Sequence, residues 1–379
     1  MNTFMHHLYL HVPFCPTICP YCDFHVLRRT KGAVAAYLER LEEEAARLFE
    51  LHPGSLDTIY VGGGTPSFLR DAELERLFAS LPWPLEDEAE VTLEVNPGTV
   101  NYRRLEAIKN LGVNRLSIGV QSFDEKTLHF LGRTHDAASA RKTVAEALGF
   151  GFSVSLDLML ALPGQNVRAE LETAAALGVD HVSAYTLQVE PGTPFALQKL
   201  TTKADDEAAA FALAREVLGA AGLRRYEVSN YARPGAESRH NLAYWRMSSW
   251  GGLGPAAAAH FLVGEKKVVS RRMTNPPLPR WLVGEPPEIV ELGPLGYAKE
   301  ALMMGLRIRE GVDLCRLEEN SGLELRQTLS IKAGELADAG LLELDENRIV
   351  PTNAGLDQLH EVILQLWEAL ETTYSADFS

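Results

Sequence analysis

The sequence predicts an α/β chain: a parallel sheet built from six strand–helix units, followed by a smaller α+β module of winged-helix type. Three observations predict it. Short β-branched or apolar runs alternate with stretches of helical spacing through the first half of the chain. Polar and glycine residues recur directly after these runs, and the last quarter changes to helices with one small hairpin. Parallel strands need a crossover of about a dozen residues, and each helical stretch supplies one.

The elements follow in order. The apolar runs are residues 8–12, 58–61, 91–95, 115–120, 154–159 and 181–187. Between the first two, residues 32–49 set Val34, Tyr37, Leu38, Leu41, Ala45 and Leu48 at three- and four-residue steps, which is one face of a helix. Helical spacing also fills residues 71–80, 101–111, 136–148 and 168–177. Three cysteines follow the first run, Gly62-Gly63-Gly64-Thr65 the second, Glu94 ends the third, Gln121 follows the fourth, and Asp157 lies near the end of the fifth. Parallel strands carry their ligand sites at their carboxyl ends, so one site built by the whole series is expected. After Pro191-Gly192-Thr193-Pro194 comes an alanine-rich helix, 205–221, then an irregular aromatic and glycine-rich stretch through Pro255. Pro276-Pro277 and Pro286-Pro287 flank Trp281 and read as a linker. From Leu295 further helices precede a hairpin, 341–344 and 348–350 around Asp345-Glu346-Asn347, and a last helix begins at Ala354.

Composition narrows the function. The 379 residues, 46% hydrophobic and 23% charged, are enough for two or three domains with a large core and exclude a disordered chain or a disulfide scaffold. A formal charge of −15 sets the surface against nucleic acid. Residues 291–379 hold seven Lys and Arg against seventeen Asp and Glu, which disfavours a DNA-reading role for the winged module. No apolar run approaches the length of a membrane span, and residues 1–7 lack the features of a signal peptide, so a cytoplasmic location is expected.

The most specific signal is Cys15-Pro16-Thr17-Ile18-Cys19-Pro20-Tyr21-Cys22. Three thiols within eight residues are poor disulfide partners and good soft-metal ligands. They suit a four-iron cluster with one iron left without a protein ligand; a zinc site completed by His11 or His25 is the alternative. The fourth cysteine, Cys315, reads as a small buried hydrophobe.

Together with Tyr9-Leu10-His11-Val12-Pro13-Phe14 before it, this motif resembles the radical S-adenosylmethionine enzymes, and within them the HemN/HemW branch. The resemblance continues through Gly62-Gly63-Gly64-Thr65-Pro66-Ser67, Glu94-Val95-Asn96-Pro97-Gly98, 114–123, Leu131-Gly132-Arg133, Leu162-Pro163-Gly164-Gln165, Glu190-Pro191-Gly192-Thr193, 226–235 and His240-Asn241-Leu242-Ala243-Tyr244-Trp245. It implies a partial (β/α)6 TIM-like barrel over residues 1–200, a connecting region that covers substrate or heme over 201–290, and a winged-helix-like HemN-type domain over 291–379. It also implies a 4Fe–4S cluster on Cys15, Cys19 and Cys22, with S-adenosylmethionine chelating the open iron and cleaved by an electron from the cluster to a 5′-deoxyadenosyl radical. Tyr9, Gly63, Gly64, Thr65, Glu94, Gln121, Arg133, Asp157 and Thr186 match positions that contact S-adenosylmethionine.

Two activities share the branch. Coproporphyrinogen dehydrogenases carry a fourth cysteine two residues beyond the third and an N-terminal extension. Here Cys22-Asp23-Phe24 has none, and eight residues precede Tyr9. Both features resemble the HemW side, heme-binding proteins that deliver heme to an acceptor. The implied partners are heme, a heme-accepting protein and an electron donor. A peripheral acceptor would bring membrane contact without a spanning segment. His240, Tyr244 and Trp245 are the heme candidates, since His ligates heme iron and aromatic rings cover a porphyrin face. One departure is visible. Relatives commonly carry Gly-Ala-His after the Gly-x-Gly turn, whereas Gly252-Leu253-Gly254 leads into Pro255 and four alanines, so the family histidine falls near Ala258 and His260 stands two residues late. If that histidine serves tetrapyrrole binding, different or weaker binding is the expectation. The alternative function is a radical oxidoreductase acting on coproporphyrinogen III or another tetrapyrrole.

Overall fold

The computed structural model describes residues 5–264 and 269–374, so part of the N-terminal segment 1–7 and the last five residues lie outside it. Six strands and their crossover helices run in the predicted order: β1 His7–Val12, α1 Ala33–Leu51, β2 Leu56–Gly63, α2 Asp71–Ala79, β3 Leu85–Val95, α3 Tyr102–Asn110, β4 Arg115–Gln121, α4 Ala137–Gly149, β5 Ser153–Leu160, α5 Val167–Ala176 and β6 His181–Thr186. Local chemistry sets the helix starts. Asn101, Asp136 and Asn166 each accept a backbone N–H of the first turn through a side-chain oxygen. Val34, Tyr37, Leu38, Leu41 and Ala45 of α1 are all buried, so the stripe read from sequence is the face that meets the sheet.

The sheet is wider than the six units. Behind α6 Ala204–Ala220 come β7 Arg224–Arg225, β8 Asn230–Ala232, α7 Arg239–Trp245, β9 Trp250–Leu253, β10 Ala258–Val263, β11 Val269–Thr274, α8 Leu278–Leu282 and β12 Glu288–Leu292. The strand order is β12-β11-β10-β9-β1-β2-β3-β4-β5-β6-β8-β7. Seven neighbouring strands, β9 and β1 to β6, are parallel, and the added strands at both ends are antiparallel. The two ends do not pair, which makes this a partial barrel.

Two expectations are corrected here. The stretch through Pro255 is not irregular: Trp250 to Leu253 pair with His7 to Leu10, and Gly252 has no room for a side chain because Ala258 O lies 2.2 Å from where its Cβ would stand. The Pro276–Pro287 segment is not a linker. Its proline pairs bracket α8, whose Trp281 is buried against Tyr37 at 5.6 Å between ring centroids and donates its indole N–H to Glu44 Oε1 at 3.1 Å.

The C-terminal module has its own core. α9 Pro294–Gly305, α10 Leu314–Ser321, α11 Leu325–Asp338 and α12 Leu359–Tyr374 bury a cluster centred on Leu302, Leu325, Leu329 and Leu366. A three-stranded antiparallel wing, Val312–Asp313, Arg348–Pro351 and Leu342–Asp345 in that order, completes it. Cys315 is half-buried rather than buried, its thiol donating to Asn347 Oδ1 at 3.1 Å. Among the described residues no helix is long and apolar enough to cross a membrane.

Candidate functional site

The cysteine loop is gripped from several sides. Phe14–Cys15 forms a short parallel pairing with Leu27–Arg28, and Leu27 donates to Pro13 O at 2.7 Å, which closes the loop at its base. His11 Nε2 lies 2.9 Å from His25 O, and His25 Nε2 accepts from the Leu278 N–H at 3.0 Å. Tyr21 packs against the cluster formed by Leu131, Met159, Leu162, Leu187 and Phe195. Gly132, at φ +66°, lies so close that a Cβ there would stand 2.8 Å from Pro20 Cδ. Held this way, the three thiols face one cavity of about 510 Å³.

Two of the thiols have a polar or charged side chain beside them. The Thr65 hydroxyl points at Cys15 Sγ from 3.5 Å, and Arg133 Nη1 lies 3.5 Å from both Cys19 Sγ and the Tyr21 hydroxyl. Arg133 Nη2 donates to Gly119 O at 2.7 Å, and its Nε is buried without a partner. Burial raises the Cys15 thiol and pushes Cys22 up to about 11. A metal centre must therefore displace these protons on binding.

The carboxylates sit deeper. Glu94 accepts from the Tyr60 hydroxyl at 2.9 Å and the Gly63 N–H at 3.0 Å; burial, and then the charge of Asp157, raise its carboxyl to about 7. Asp157 is raised by burial too, and accepts from the Ser117 hydroxyl at 3.1 Å. Neither makes an ion pair with Lys, Arg or His among the described residues. Two half-buried carboxylates and an unsatisfied guanidinium N–H line one cavity, a polar arrangement left incomplete by the protein alone.

The Radical SAM superfamily matches residues 9–177, and the HemN C-terminal domain matches residues 294–357. Heme chaperone HemW of Bacillus subtilis (strain 168) is 33% identical over 92% of this chain and 95% of its own length. The chain belongs to the HemW family of radical SAM proteins. Its relatives include heme chaperone HemW of Escherichia coli (strain K12), 38% identical over 71% of this chain and 74% of its own, and radical S-adenosyl methionine domain-containing protein 1 of Mus musculus, 37% identical over 97% and 88%. The coproporphyrinogen III oxidase HemN of Escherichia coli shares the fold, with a TM-score of 0.80 over 98% of this chain and 91% of its own at 21% identity.

Radical SAM proteins hold a 4Fe–4S cluster and S-adenosylmethionine, and the donor set of this HemW-family chain fits both. Three thiols on one wall leave one iron of a four-iron cluster open. The unpartnered Arg133 Nε and the two carboxylates offer a donor and acceptors for an amino acid and a ribose. The zinc alternative loses both histidines, since His11 has its second nitrogen 3.0 Å from the Tyr9 hydroxyl and His25 is taken by Leu278. Among the described residues, no three His, Cys, Asp or Glu side chains gather about one point as a single metal ion requires.

The structure brings Cys15, Cys19, Cys22, Gly63, Gly64, Thr65, Glu94, Gln121, Arg133, Asp157 and Thr186 to this cavity. The glycines are small for a reason the sequence does not show: a Cβ on Gly63 would meet the His11 ring at 2.5 Å, and one on Gly64 would meet Val12 O at 2.8 Å. Tyr9 stands outside the lining, beside Tyr60 at 6.2 Å between ring centroids. The 240–245 motif lies at the opposite, amino-terminal end of the barrel. His240 is fully buried; its Nδ1 is 2.6 Å from the Thr58 hydroxyl and its Nε2 2.7 Å from the Tyr244 hydroxyl, which leaves no ring nitrogen for a metal. Only Asn241 of the motif reaches the cavity, at its floor. His260 is also committed, between Ser248 O and the Ser270 hydroxyl at 3.0 Å each.

Several lining residues escaped the sequence reading: Tyr60, Thr92, Arg115, Ser117, Ser155, His181, Ser183 and Tyr185. A signal for them existed. Thr92 and Glu94, Ser117 and Gln121, Ser155 and Asp157, and His181 and Ser183 fall on alternate positions of otherwise apolar strands, so each strand turns one polar row toward the barrel interior.

Proposed function

We propose that this protein is a cytoplasmic heme chaperone, which binds heme and passes it to an acceptor protein. The carrying observation is the near full-length match to curated heme chaperones, from the cysteine loop into the C-terminal module. In this reading Cys15, Cys19 and Cys22 hold the cluster. Gly63, Gly64 and Arg133 receive the amino-acid part of S-adenosylmethionine, and Glu94, Asp157, Gln121 and Thr186 receive its nucleoside. When bound, the pair supplies one-electron reductive chemistry, fed by an external electron donor.

The chain's own residues orient and shelter that group. Arg133 places a positive charge beside Cys19. The Thr65 hydroxyl donates toward Cys15, which favours that thiolate against the burial that raises it. Phe24 stands 64% exposed on the cavity wall at the position where a fourth thiol would be needed, and presents an apolar surface there instead. Membrane contact through a peripheral acceptor fits this reading without any spanning helix.

The test is one anaerobically reconstituted sample divided in parallel between ferric heme and coproporphyrinogen III with S-adenosylmethionine, the second with a low-potential reductant to reduce the cluster and an added electron acceptor. Heme bound at one per chain with no decarboxylated product supports the chaperone. Decarboxylated product would instead establish the radical oxidoreductase, for which the cluster and S-adenosylmethionine residues are present but the fourth thiol is not.

A further inference from the structure

A second large cavity, about 470 Å³, lies where the barrel meets the C-terminal module, between α6, the end of α9 and α12. This is an ordinary size for a small-molecule site. On α12, His360, Ile363, Leu364 and Trp367 recur at three- and four-residue steps and present one face to it. Phe211 of α6 and Met303 of α9 complete an apolar, aromatic and sulfur-bearing wall.

The cations on this wall differ in their commitments. Arg225 is satisfied: its guanidinium pairs with Asp357 at 2.6 Å and donates to Val228 O at 2.8 Å. Arg307 makes no ion pair and no side-chain hydrogen bond among the described residues, and its buried Nε has no partner. Its guanidinium lies 5.4 Å from the ring centroid of Trp245, the last residue of the 240–245 motif. An unmatched cation beside an aromatic wall suits a flat apolar ligand that carries carboxylates. His360 and Met303 are both competent iron ligands.

Resting on the heme reading above, we propose that this cavity is the heme site, with Arg307 meeting a propionate, Phe211 and Trp367 flanking the porphyrin, and His360 ligating the iron. Trp245 is then a positioning residue that holds Arg307 at the site. The motif contributes through its end rather than through His240, whose nitrogens are both engaged.

The test is ferric heme titrated anaerobically into the full-length, cluster-reconstituted protein and its H360A, R307Q, L364R and H240Q variants, with iron content and thermal melting as fold controls. His360 is exposed and Leu364 is 43% exposed, so both variants are expected to fold. H360A should change the Soret and electron-paramagnetic spectra. R307Q should weaken binding about tenfold, the scale of one charge-assisted contact. L364R should obstruct heme entry, and H240Q should keep the wild-type heme spectrum. Wild-type heme binding in H360A, R307Q and L364R would overturn the site, as would heme lost from a folded H240Q. Absence of heme binding by the wild type would overturn the chaperone reading itself.

Discussion

Single residues carry two titrations of opposite sign. The Glu94 carboxyl is raised to about 7 against an ordinary 4.5, so the cofactor-free fold loses stability as pH rises through that window and the buried group ionises. Ribose hydroxyls donate to the carboxylate and favour that charged form. S-adenosylmethionine affinity should therefore fall as pH drops below about 7, and E94Q should bind weakly with a flat profile; calorimetric titration from pH 6 to 8 measures both. His240 runs the other way. Burial lowers it to about 3, so its contribution is fully present above pH 6.5 and is lost as pH falls toward 3, by up to about 1.4 kcal/mol per pH unit. His7, lowered to about 4 and 3.0 Å from the same Thr58 hydroxyl, adds to that loss. Melting temperature should drop below pH 6.5 in the wild type and drop less in H240Q, which starts from a lower value at pH 8 because Thr58 and Tyr244 lose their shared partner.

At the scale of an element, the carboxyl end of β4 departs from regular pairing. Its register with β5 shifts between Ile118 and Gln121, and Gln121 takes φ 66°, a left-handed conformation that costs a side-chain-bearing residue about 1–2 kcal/mol. That cost places Gln121 and Arg133 around Gly119, where a Cβ would lie 3.1 Å from the Gln121 amide nitrogen and 3.3 Å from Arg133 Nη2. Q121G should keep or raise the melting temperature of the cofactor-free protein while weakening S-adenosylmethionine binding, a split that a purely structural residue would not give. α8 supplies the converse case. W281A removes a buried indole that joins α8 to α1 and should cost about 3–5 kcal/mol in denaturant unfolding. These two elements also show where the sequence was legible. Strands β1 to β6 and their helices were readable because one apolar stripe per helix and one apolar run per strand repeat locally. Gln121 was assigned to the site by its place after a strand, yet its strain is a property of pairing with β5. Trp281 was misread because two proline pairs are a local linker signal, whereas its partners Tyr37 and Glu44 lie more than 230 residues away.

On the scale of the whole molecule, two separate cores meet at a boundary that is charged, partly hollow, and bridged by an apolar cluster of Tyr226, Ala232, Leu242 and Ile308. The barrel core runs from Met5 to Trp281 and the second is confined to the C-terminal module, apart from Met247. Asp357, just before α12, accepts Arg215 of α6 and Arg225 of β7 at 2.6 Å each, which ties the two units beside the second cavity. Unfolding should then show two overlapping thermal transitions rather than one. A ligand that contacts only the barrel stabilises only the barrel. S-adenosylmethionine at a hundred times its dissociation constant contributes about 2.7 kcal/mol, which raises the barrel's transition by about 5–10 °C and leaves that of the C-terminal module where it was. Heme held between α6, α9 and α12 touches both units, so it should raise both transitions and narrow the gap between them. Differential scanning calorimetry of the reconstituted protein with each ligand alone separates the cases. A heme shift confined to the barrel's transition would return the tetrapyrrole to the barrel cavity, and D357N should widen the gap between the two transitions of the ligand-free protein while leaving S-adenosylmethionine affinity unchanged.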